Sequence, residues 1–565
     1  MFVQIGLLAV FTHMVFQHWE PKDVTRALTV LLSGSLGSIL FAKSLTASGI
    51  LVAVATFIAS LCLSVVFYRV SPFHPLAQYP GPILNKITQL APMWTVYTGH
   101  QHLTNHKLHA KYGPIVRIGP NDLSIVDVDA VNSVLGAGGL PKGQYYNARQ
   151  IPNAPQNIIG MRGEAHAARR KLWNRGFSPE SLQGYEAGIA RRASQVVNKL
   201  NESVGKETDL VKWINYFAFD VMGEMAFGRS FNMITEGDKG GIWDTLGKFA
   251  LQGAIASHIP WARGVFLKVP MFSKHFGKMR QFGMGCAMQR MKSEAKVKDL
   301  WYYLSDEAGI EKVKPAVPEV SADGTFAVVA GSDTTASALS SLFWFLIMNP
   351  DVYKKVQEEI DTVYPDYADP LNTARHAKLV YLNACINETL RLHPPIPTNG
   401  PRQVPEGTRG KLVAGRHIPE GTQVYVPPYS MHRDPRYFSP EPESFIPDRW
   451  LSASSFDKAS SEKAFIPFSY GPANCVGRQM AKNEMLMFAS VLLQHFTFQF
   501  APGFGGREAE KWPERRLDYL VTTRAPLLCA EIQDPLMVMP HFCMTFRSKH
   551  DRRQLLTAKE IQGEW

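Results

Sequence analysis

The chain has 565 residues, of which 45% are hydrophobic and 19% charged, and its formal net charge at pH 7 is +11. This share of apolar residues is enough for a large folded core. The positive charge is spread along the sequence, whereas a nucleic-acid-binding protein usually shows a basic run with interleaved aromatic residues. We therefore expect no nucleic-acid partner, and an acidic protein or an anionic membrane surface accounts better for the excess charge.

Three apolar stretches begin the chain, at about residues 2–17, 27–42 and 49–68. The third contains no charged residue and is long enough to cross a bilayer as a helix. The first two are equally compatible with interfacial or buried helices, so we predict one to three membrane spans within residues 1–70. A cleaved signal peptide is not expected, because the first stretch lacks a basic start and the strongest one lies too deep.

The charges that flank these stretches indicate an orientation. Placing Lys22, Arg26 and Arg69 on the cytoplasmic side of a membrane agrees with three spans and a cytosolic main domain. A proline-rich connector follows at residues 71–82.

Downstream, the predicted elements form an α-rich mixed fold. Residues 112–127 alternate apolar and polar positions between turn signals, which predicts a small antiparallel sheet. Helical patterns dominate from about 160 to 390, and short strands are predicted at 416–430, 496–500 and 518–532. The fold class that follows is mainly α with small β-sheets.

A long apolar helix is predicted at residues 325–350. Gly331 in its interior costs roughly 1 kcal/mol relative to alanine, and Asp333 and Thr334 add polar groups to a segment that should be buried. A threonine hydroxyl can bond the carbonyl four residues back and open a helix locally. The result would be a polar notch that holds oxygen or water, and a hydrogen-bonded Asp–Thr pair in the core is an equal alternative.

A charged network is predicted from two further motifs. Glu388 and Arg391 in "NETLRLHPP" lie on one face of a helix, and Arg449 in "FIPDRW" supplies a second guanidinium. A carboxylate between two guanidinium groups forms a rigid, charge-assisted network. We predict a structural role for these three residues.

The cysteines are arranged for neither zinc nor a disulfide scaffold. All six lie far apart without a C-x-x-C pair, which fits a reducing compartment in which most thiols fill the core. Cys475 differs, because it lies in the loop "FSYGPANCVG" (468–477) just before a helical pattern at 478–496. Backbone N–H groups and the positive dipole end at a helix start favour an anionic sulfur. Cys475 is therefore predicted to be a metal ligand or a nucleophile.

Together, these motifs resemble those of the cytochrome P-450 haem-thiolate monooxygenases, from "HPLAQYPGP" to about residue 530. The pattern F-x-x-G-x-x-x-C-x-G matches at Phe468, Gly471, Cys475 and Gly477, and A-G-x-D-T-T matches at residues 330–335. The E-x-x-R and P-x-R-W motifs match at the three residues of the charged network. The order and the separations make the combined resemblance specific.

The resemblance implies the cytochrome P-450 fold over residues 83–532, preceded by N-terminal transmembrane helices. It implies a haem b (iron protoporphyrin) cofactor with Cys475 as the axial ligand of the iron. Phe468 would shield the sulfur, and the two loop glycines would let the backbone approach the porphyrin. The tail at 533–565 falls outside the family pattern and has no predicted role.

The resemblance also assigns roles on both sides of the cofactor. Asp333 and Thr334 would deliver protons during oxygen activation. His166, Arg170 and Arg402 fall where the family places groups that pair with haem propionates. The match fails at one position, since Ala473 stands where the family usually has arginine or histidine.

The implied activity is insertion of one oxygen atom from O2 into a lipophilic small molecule. NADPH–cytochrome reductase would supply the electrons. The expected location is the membrane of the endoplasmic reticulum, with the catalytic domain in the cytosol. The N-terminal region and the residues within the motifs look most like those of fungal tailoring enzymes of terpenoid and alkaloid pathways. Substrate contacts are expected from residues 140–160, the helix face near Val328, residues 396–399 and residues 521–523, which are mostly apolar.

Two other readings of the motifs stay open. Some relatives isomerise or dehydrate peroxides without a reductase, and those typically lack the Asp–Thr pair. A non-catalytic membrane haem-binding protein is the second, since sensors also use thiolate-bound haem. The presence of Asp333 and Thr334 favours the monooxygenase.

Overall fold

A computed structural model describes residues 1–18, 24–42, 44–151, 154–202, 207–266, 268–293, 298–365, 373–451, 458–529 and 547–548. Helices make up most of this part of the chain, and the strands are short. The prediction of a mainly α fold with small β-sheets is confirmed.

The helices of the first half are, in chain order, α1 (Phe2–His18), α2 (Val24–Ile39), α3 (Ala47–Val70), α4 (Ile83–Ile87), α5 (Leu90–Tyr97), α6 (Gln101–Tyr112), α7 (Val128–Ala130), α8 (Gly163–Gly176), α9 (Pro179–Asn201), α10 (Leu210–Phe227), α11 (Met233–Glu236) and α12 (Ile242–His258). Those of the second half are α13 (Arg263–Phe266), α14 (Pro270–Lys292), α15 (Leu300–Leu304), α16 (Val317–Met348), α17 (Pro350–Val363), α18 (Val380–Leu392), α19 (Pro428–Met431), α20 (Pro435–Phe438), α21 (Lys458–Ala464), α22 (Arg478–His495) and α23 (Arg507–Glu510).

The strands are β1 (Ile115–Gly119), β2 (Asp122–Ile125), β3 (Thr208–Asp209), β4 (Arg402–Gln403), β5 (Lys411–Val413), β6 (Arg416–Ile418), β7 (Gln423–Tyr425), β8 (Phe496–Thr497), β9 (Leu517–Asp518), β10 (Thr522–Thr523), β11 (Leu528–Cys529) and β12 (Arg547–Ser548). Strands occur in all the predicted regions, but the segment at 416–430 ends in α19 rather than in a strand. Residues 530–532 of the last predicted strand region lie outside the described residues. Of the tail at 533–565, only β12 is described, and it pairs with β8.

The described residues divide into two compact units. The first lies within Met1–Pro152, Phe249–Gly277 and Gly400–Pro427, and the second within Asn153–Lys248, Lys278–Asn399 and Pro428–Trp565.

A four-stranded sheet organises the first unit, with strand order β1-β2-β7-β4. The pair β1–β2 is antiparallel, as predicted for residues 112–127, whereas β2 pairs with β7 in parallel. Val116, Ile118 and Tyr425 form a small buried core on this sheet. Strand β4, which carries Arg402, is paired antiparallel to β7 at the sheet edge.

Three N-terminal helices pack together in the first unit. The side chains of Ile5 and Ala9 on α1 form a buried cluster with Ala53, Phe57 and Leu61 on α3. Among the described residues, α3 is the one helix long and apolar enough to cross a membrane, and α1 and α2 are shorter apolar helices. At 24 residues, α3 extends over about 36 Å, which exceeds a hydrocarbon core of about 30 Å. Lys22, on which part of the orientation argument rests, lies outside the described residues.

Helix α16 runs through the core of the second unit and is longer than predicted, since it begins at Val317 rather than near 325. Its glycines allow the neighbouring helix α10 to come close. A Cβ atom at Gly331 would lie 2.4 Å from Sδ of Met222, and one at Gly324 would lie 2.7 Å from Cζ of Phe227. Gly331 is therefore explained by helix packing, a reason that the sequence did not suggest.

Candidate active site around Cys475

The Cys475 loop folds back tightly before α22. The N–H of Cys475 donates a hydrogen bond to the carbonyl oxygen of Phe468 at 2.9 Å, and the N–H of Gly477 donates to the Cys475 sulfur. Ser469 (φ 59°) and Gly471 (φ 72°) adopt the left-handed conformation that makes the reversal possible. The loop thus presents the sulfur at the start of a helix, as the sequence predicts.

The surroundings of Cys475 act on its thiol in two opposing ways. Cys475 is exposed, whereas Cys286 and Cys385 are buried. Burial nevertheless raises the pKa of the Cys475 thiol, while the Gly477 N–H and the guanidinium groups of Arg170 and Arg478 act to lower it. The backbone N–H at the helix start thus favours the anionic sulfur, as the sequence suggests, but burial has the larger effect. A coordinated metal ion deprotonates such a thiol outright.

One face of α16 is also partly exposed inside this largely buried helix. Phe326, Val329, Ala330 and Asp333 follow the i, i+3, i+4, i+7 spacing of a single helical face, and Thr334 lies beside it. The face is apolar at one end and polar at the other. Val328, near which substrate contacts were expected, is fully buried on another side of the helix. The partly exposed face is therefore the better candidate for contact with a small molecule.

The polar end of this face contains the predicted notch. The hydroxyl of Thr334 donates to the carbonyl oxygen of Ala330 at 2.7 Å, which is the back-bonding that the sequence suggests. Helix α16 continues without interruption from Val317 to Met348, so this bond does not end the helix.

Asp333 has a charged partner that sequence reasoning missed. The Nη1 atom of Arg524 lies 3.0 Å from Oδ1 of Asp333 and donates to the Asp333 carbonyl oxygen at 2.8 Å. Nη2 of Arg524 donates to Oδ1 of Asn215 at 2.6 Å. Burial raises the pKa of Asp333, and the Arg524 guanidinium opposes that shift. No local pattern marks Arg524, because it lies 191 residues after Asp333 and follows a two-residue strand.

The predicted charged network is present and buried. The guanidinium of Arg391 binds both carboxylate oxygens of Glu388 at 2.8 Å, and neither side chain is exposed. Nε of Arg449 lies 3.4 Å from Oε1 of Glu388. Trp450 donates to the same carboxylate at 2.9 Å, and the backbone N–H of Ile446 does so as well. The carboxylate is fully satisfied, as a structural role requires.

His432 joins this network to the segment that leads into the Cys475 loop. Its Nδ1 bonds the carbonyl oxygen of Arg391 at 3.1 Å, and its Nε2 accepts from the backbone N–H of Ile466 at 3.0 Å. Burial lowers the pKa of His432 to about 3, so the ring is neutral. His432 belongs to no motif that could have predicted this connecting role from the sequence.

Helix α8 is anchored to α16 along its buried side, while its other side is exposed. Buried Asp323 on α16 accepts hydrogen bonds from Arg169 at 3.1 Å and from Trp173 at 3.2 Å. Burial raises the pKa of Asp323 to about 6, and Arg169 opposes the shift. Of the predicted cofactor-binding residues on α8, His166 is half-buried in its first turn. Arg170 extends from the same helix to the Cys475 loop.

Arg402 is described within the first unit. Its side chain is 8% exposed, and its Nε has no hydrogen-bond partner among the residues that the structure describes. Lys142, which is equally buried and was not predicted, forms an antiparallel β-bridge with Arg402. Nζ of Lys142 lies over the Tyr146 ring at 5.7 Å. The unpartnered Nε of Arg402 could bind an anionic group, because burial of a charge without a partner is costly.

The segment at 140–160, which was expected to offer mostly apolar contacts to a substrate, also buries polar aromatic side chains. Tyr145 and Tyr146 are buried, and the guanidinium of Arg149 lies over the Tyr145 ring at 5.5 Å. Burial raises the pKa of Tyr146 to about 12. A small molecule that reached this segment would meet hydroxyl groups as well as rings.

Comparison with known proteins gives the family. The family model described as "Cytochrome P450", written P-450 here, matches residues 75–526. The chain is 34% identical over 479 residues to cytochrome P-450 monooxygenase cpaH of Aspergillus oryzae. The aligned region covers 83% of this chain and 91% of that protein. It is 31% identical over 493 residues to averantin hydroxylase of Dothistroma septosporum, with 84% and 90% covered. It is 30% identical over 518 residues to cytochrome P-450 67 of Uromyces fabae, with 88% and 94% covered.

Proposed function

The chain belongs to the cytochrome P-450 family and is a monooxygenase, and we propose that it inserts one oxygen atom from O2 into a lipophilic small molecule. The proposed setting is a tailoring step on a terpenoid or alkaloid in secondary metabolism. The observation that carries the proposal is the Cys475 loop in the same unit as the partly exposed face of α16. Support for the setting comes from similarity to fungal monooxygenases, one of them named as a hydroxylase.

The family uses a haem-thiolate cofactor, and we take haem b with Cys475 as its axial ligand. When bound, the thiolate-ligated haem supplies the oxygen activation. The residues fit this group, since Cys475 is exposed and its sulfur accepts a hydrogen bond from the Gly477 N–H, which suits a thiolate ligand. The orphaned Nε of buried Arg402 fits a carboxylate, as a haem propionate offers. The proposed propionate partners are those that the resemblance implies, namely His166, Arg170 and Arg402.

The α16 residues then act on protons and water. Thr334 holds a hydroxyl proton that rests on the Ala330 carbonyl and can be redirected by rotation about one bond. Asp333, with a pKa raised by burial, can hold a proton and resupply that hydroxyl. Arg524 keeps the Asp333 carboxylate in place. The apolar residues Phe326 and Val329 on the same face exclude water from the reacting atoms.

Family members of this type receive electrons from a redox partner, and we propose NADPH–cytochrome reductase. The +11 charge of the chain suits an acidic partner. Helix α3 supports membrane anchoring. The proposed location is the endoplasmic reticulum, with residues 1–70 in the membrane, residues 71–82 as the connector and residues 83–532 in the cytosol.

Oxygen consumption distinguishes the proposal from its alternatives. An isomerase or dehydratase, or a non-catalytic haem-binding protein, would not consume oxygen when electrons are supplied. Purified protein with NADPH and the reductase should consume oxygen when a lipophilic substrate is added. Candidate substrates are found by screening a metabolite library for shifts of the ferric haem band. Substrate binding without any oxygen consumption would favour the alternatives.

Replacing Cys475 by histidine tests the axial ligand. Cys475→His should abolish the long-wavelength Soret band of the ferrous carbon monoxide complex, because that band requires a thiolate ligand. The measurement is the difference spectrum of the full-length protein, with Cys286→Ser as the matched control at a buried cysteine. Persistence of the band in Cys475→His would show that another group is the ligand.

Thr334→Ala tests the proton path. The variant should retain haem and substrate binding, while a larger share of the NADPH consumed ends as hydrogen peroxide, because the hydroxyl that delivers the proton is missing. A decrease of about tenfold or more in product formed per NADPH is expected for a lost general acid. An unchanged product-to-NADPH ratio would remove Thr334 from the path.

A further inference from the structure

We propose that Asn474 and Arg170 form a clamp that holds the Cys475 loop in place and keeps a positive charge next to the sulfur. The inference rests on the proposed function, in which Cys475 binds the haem iron. It assigns a positioning role to Asn474, the residue immediately before the ligand. It also gives Arg170 a task besides pairing with a propionate.

The clamp consists of a set of hydrogen bonds between α8 and the loop. Nη2 of Arg170 donates to Oδ1 of Asn474 at 2.7 Å, and Nη1 donates to the Asn474 carbonyl oxygen at 2.7 Å. A longer bond joins Nη1 to the Pro472 carbonyl oxygen at 3.4 Å. Nε of Arg170 donates to Oδ1 of Asn174, one turn along the same helix, at 2.9 Å. All three guanidinium nitrogens are thereby directed at protein acceptors.

The acceptors in the loop belong to Pro472 and Asn474, on either side of Ala473. An arginine side chain at position 473 could reach a cofactor from within the loop, but alanine has no polar group to contribute. Arg170 instead reaches the loop from outside and bonds the carbonyl groups of residues 472 and 474. The charge missing at position 473 is thus supplied from α8.

The clamp restrains the position of the sulfur. The peptide group that carries the Asn474 carbonyl is the one that leads into Cys475, whose own N–H is bonded to Phe468 on the other side of the loop. With both sides of this peptide group bonded, the backbone at the ligand has little freedom to rotate. The support is rigid, because Asp323 holds α8 through Arg169 and Trp173.

The guanidinium would also act through its charge on an iron bound to Cys475. Reduction of the ferric iron adds one negative charge to the thiolate–haem unit, and a nearby cation stabilises the reduced state. Removal of the Arg170 charge should therefore lower the Fe(III)/Fe(II) reduction potential. Asn474 is neutral, so its truncation should loosen the loop with little effect on the potential.

The test compares Asn474→Ala, Arg170→Gln and Arg170→Lys in the haem-loaded, full-length protein. Lys171→Gln is the matched control, because it removes a charge from α8 that is paired with Glu311 and not with the loop. The readouts are the rate at which the ferrous carbon monoxide complex loses its long-wavelength band and the reduction potential. Both are measured on the haem-loaded fraction, so they do not depend on the yield of folded protein.

Asn474→Ala should lose the band about fivefold faster than the parent protein, as expected for one hydrogen bond. Arg170→Gln should lose it faster still and have a lower potential. Arg170→Lys should keep the potential but lose the band faster, since an ammonium group cannot bond both oxygens of Asn474 in fork geometry. Adding Asn474→Ala to Arg170→Gln should change nothing further, because the two residues act as one unit.

The opposite results would overturn the clamp. If Asn474→Ala keeps the parental rate while Arg170→Gln releases haem faster, Arg170 acts on a propionate alone. Additive effects in the double variant would also exclude a shared interaction. Ala473→Arg should restore the potential of Arg170→Gln, and no recovery would show that the charge at this place is irrelevant. Absence of the band from the unmodified protein would instead contradict the proposed function.

Discussion

At the scale of single residues, the second unit contains ionisable groups whose environments differ sharply. Glu484 on α22 is almost fully buried and accepts a hydrogen bond from the Thr335 hydroxyl, which follows directly after the notch residue Thr334. Its Oε1 atom has no partner among the described residues. Burial raises the pKa of Glu484 to about 8. At neutral pH this side chain is mainly a neutral carboxylic acid that links α22 to α16.

The raised pKa of Glu484 predicts a pH dependence of stability. The unfolded chain ionises this group near pH 4.5 and the folded chain near pH 8, so stability is greatest below 4.5 and falls as the pH rises to 8. At pH 7 the loss is on the order of 3 kcal/mol relative to acidic pH. Glu484→Gln should remove this slope, as measured by chemical denaturation from pH 4.5 to 8.

The exposed carboxylate of Glu420 provides the control for this experiment. Glu420→Gln should leave the slope as it is in the parent protein, because it removes a carboxyl group that lies at the surface and not one that is buried against α16. If Glu484→Gln retained the full slope, Glu484 would be ionised in the folded protein or compensated by another group.

At the scale of elements, the charged network of Glu388, Arg391 and Arg449 also connects α18 to backbone segments that lead towards the Cys475 loop. Arg391 on α18 donates to the carbonyl oxygens of His432 at 2.7 Å and Ser444 at 2.9 Å. The His432 ring in turn accepts a hydrogen bond from the backbone N–H of Ile466, two residues before Phe468. Helix α18 and the Cys475 loop are thus joined through one neutral imidazole ring.

His432→Ala should destabilise this connection. It leaves the Ile466 N–H and the Arg391 carbonyl without their partner, and each buried, unsatisfied group costs about 1–3 kcal/mol. The expected result is a lower free energy of unfolding and faster loss of haem, both measured against His417→Ala, an exposed histidine. Equal haem-loss rates in the two variants would show that the ring does not support the loop.

At the scale of the whole molecule, the membrane-related helices and the proposed catalytic residues on α16 and α22 belong to different compact units. Helices α1, α2 and α3 bury their own cluster, with Gly34 on α2 placed so that its Cβ would overlap the Phe57 ring at 2.4 Å. A hydrogen bond of 2.8 Å between His13 and Ser64 adds a polar contact between α1 and α3. The N-terminal helices therefore have internal packing of their own.

Deletion of residues 1–70 tests this separation. The shortened protein should fold and bind haem, because the family match begins only at residue 75. It should be recovered less in the membrane fraction, because α3 is missing. The measurements are the haem content per chain and the distribution between membrane and soluble fractions. Well-expressed protein without haem would show that the N-terminal helices are needed for the catalytic domain.

Features that depend on local spacing could be predicted from the amino-acid sequence alone. The Cys475 loop, the helix with Asp333 and Thr334, the Glu388–Arg391 pair and the apolar N-terminal stretches are all contiguous patterns, and their chemistry follows from residue type. The fold class and the family could therefore be predicted. Element bounds were less accurate, as the earlier start of α16 shows.

Which distant residues complete these patterns depends on the three-dimensional fold. Arg524 reaches Asp333 across 191 positions, and Arg170 reaches Asn474 across 304. A single arginine so far along the chain from its partner forms no periodic sequence pattern with it, so the pair cannot be predicted from spacing. The pKa values of Cys475 and Glu484 likewise depend on burial, which packing sets and spacing does not. Gly331 shows the same limit, because its reason is the approach of Met222 from another helix.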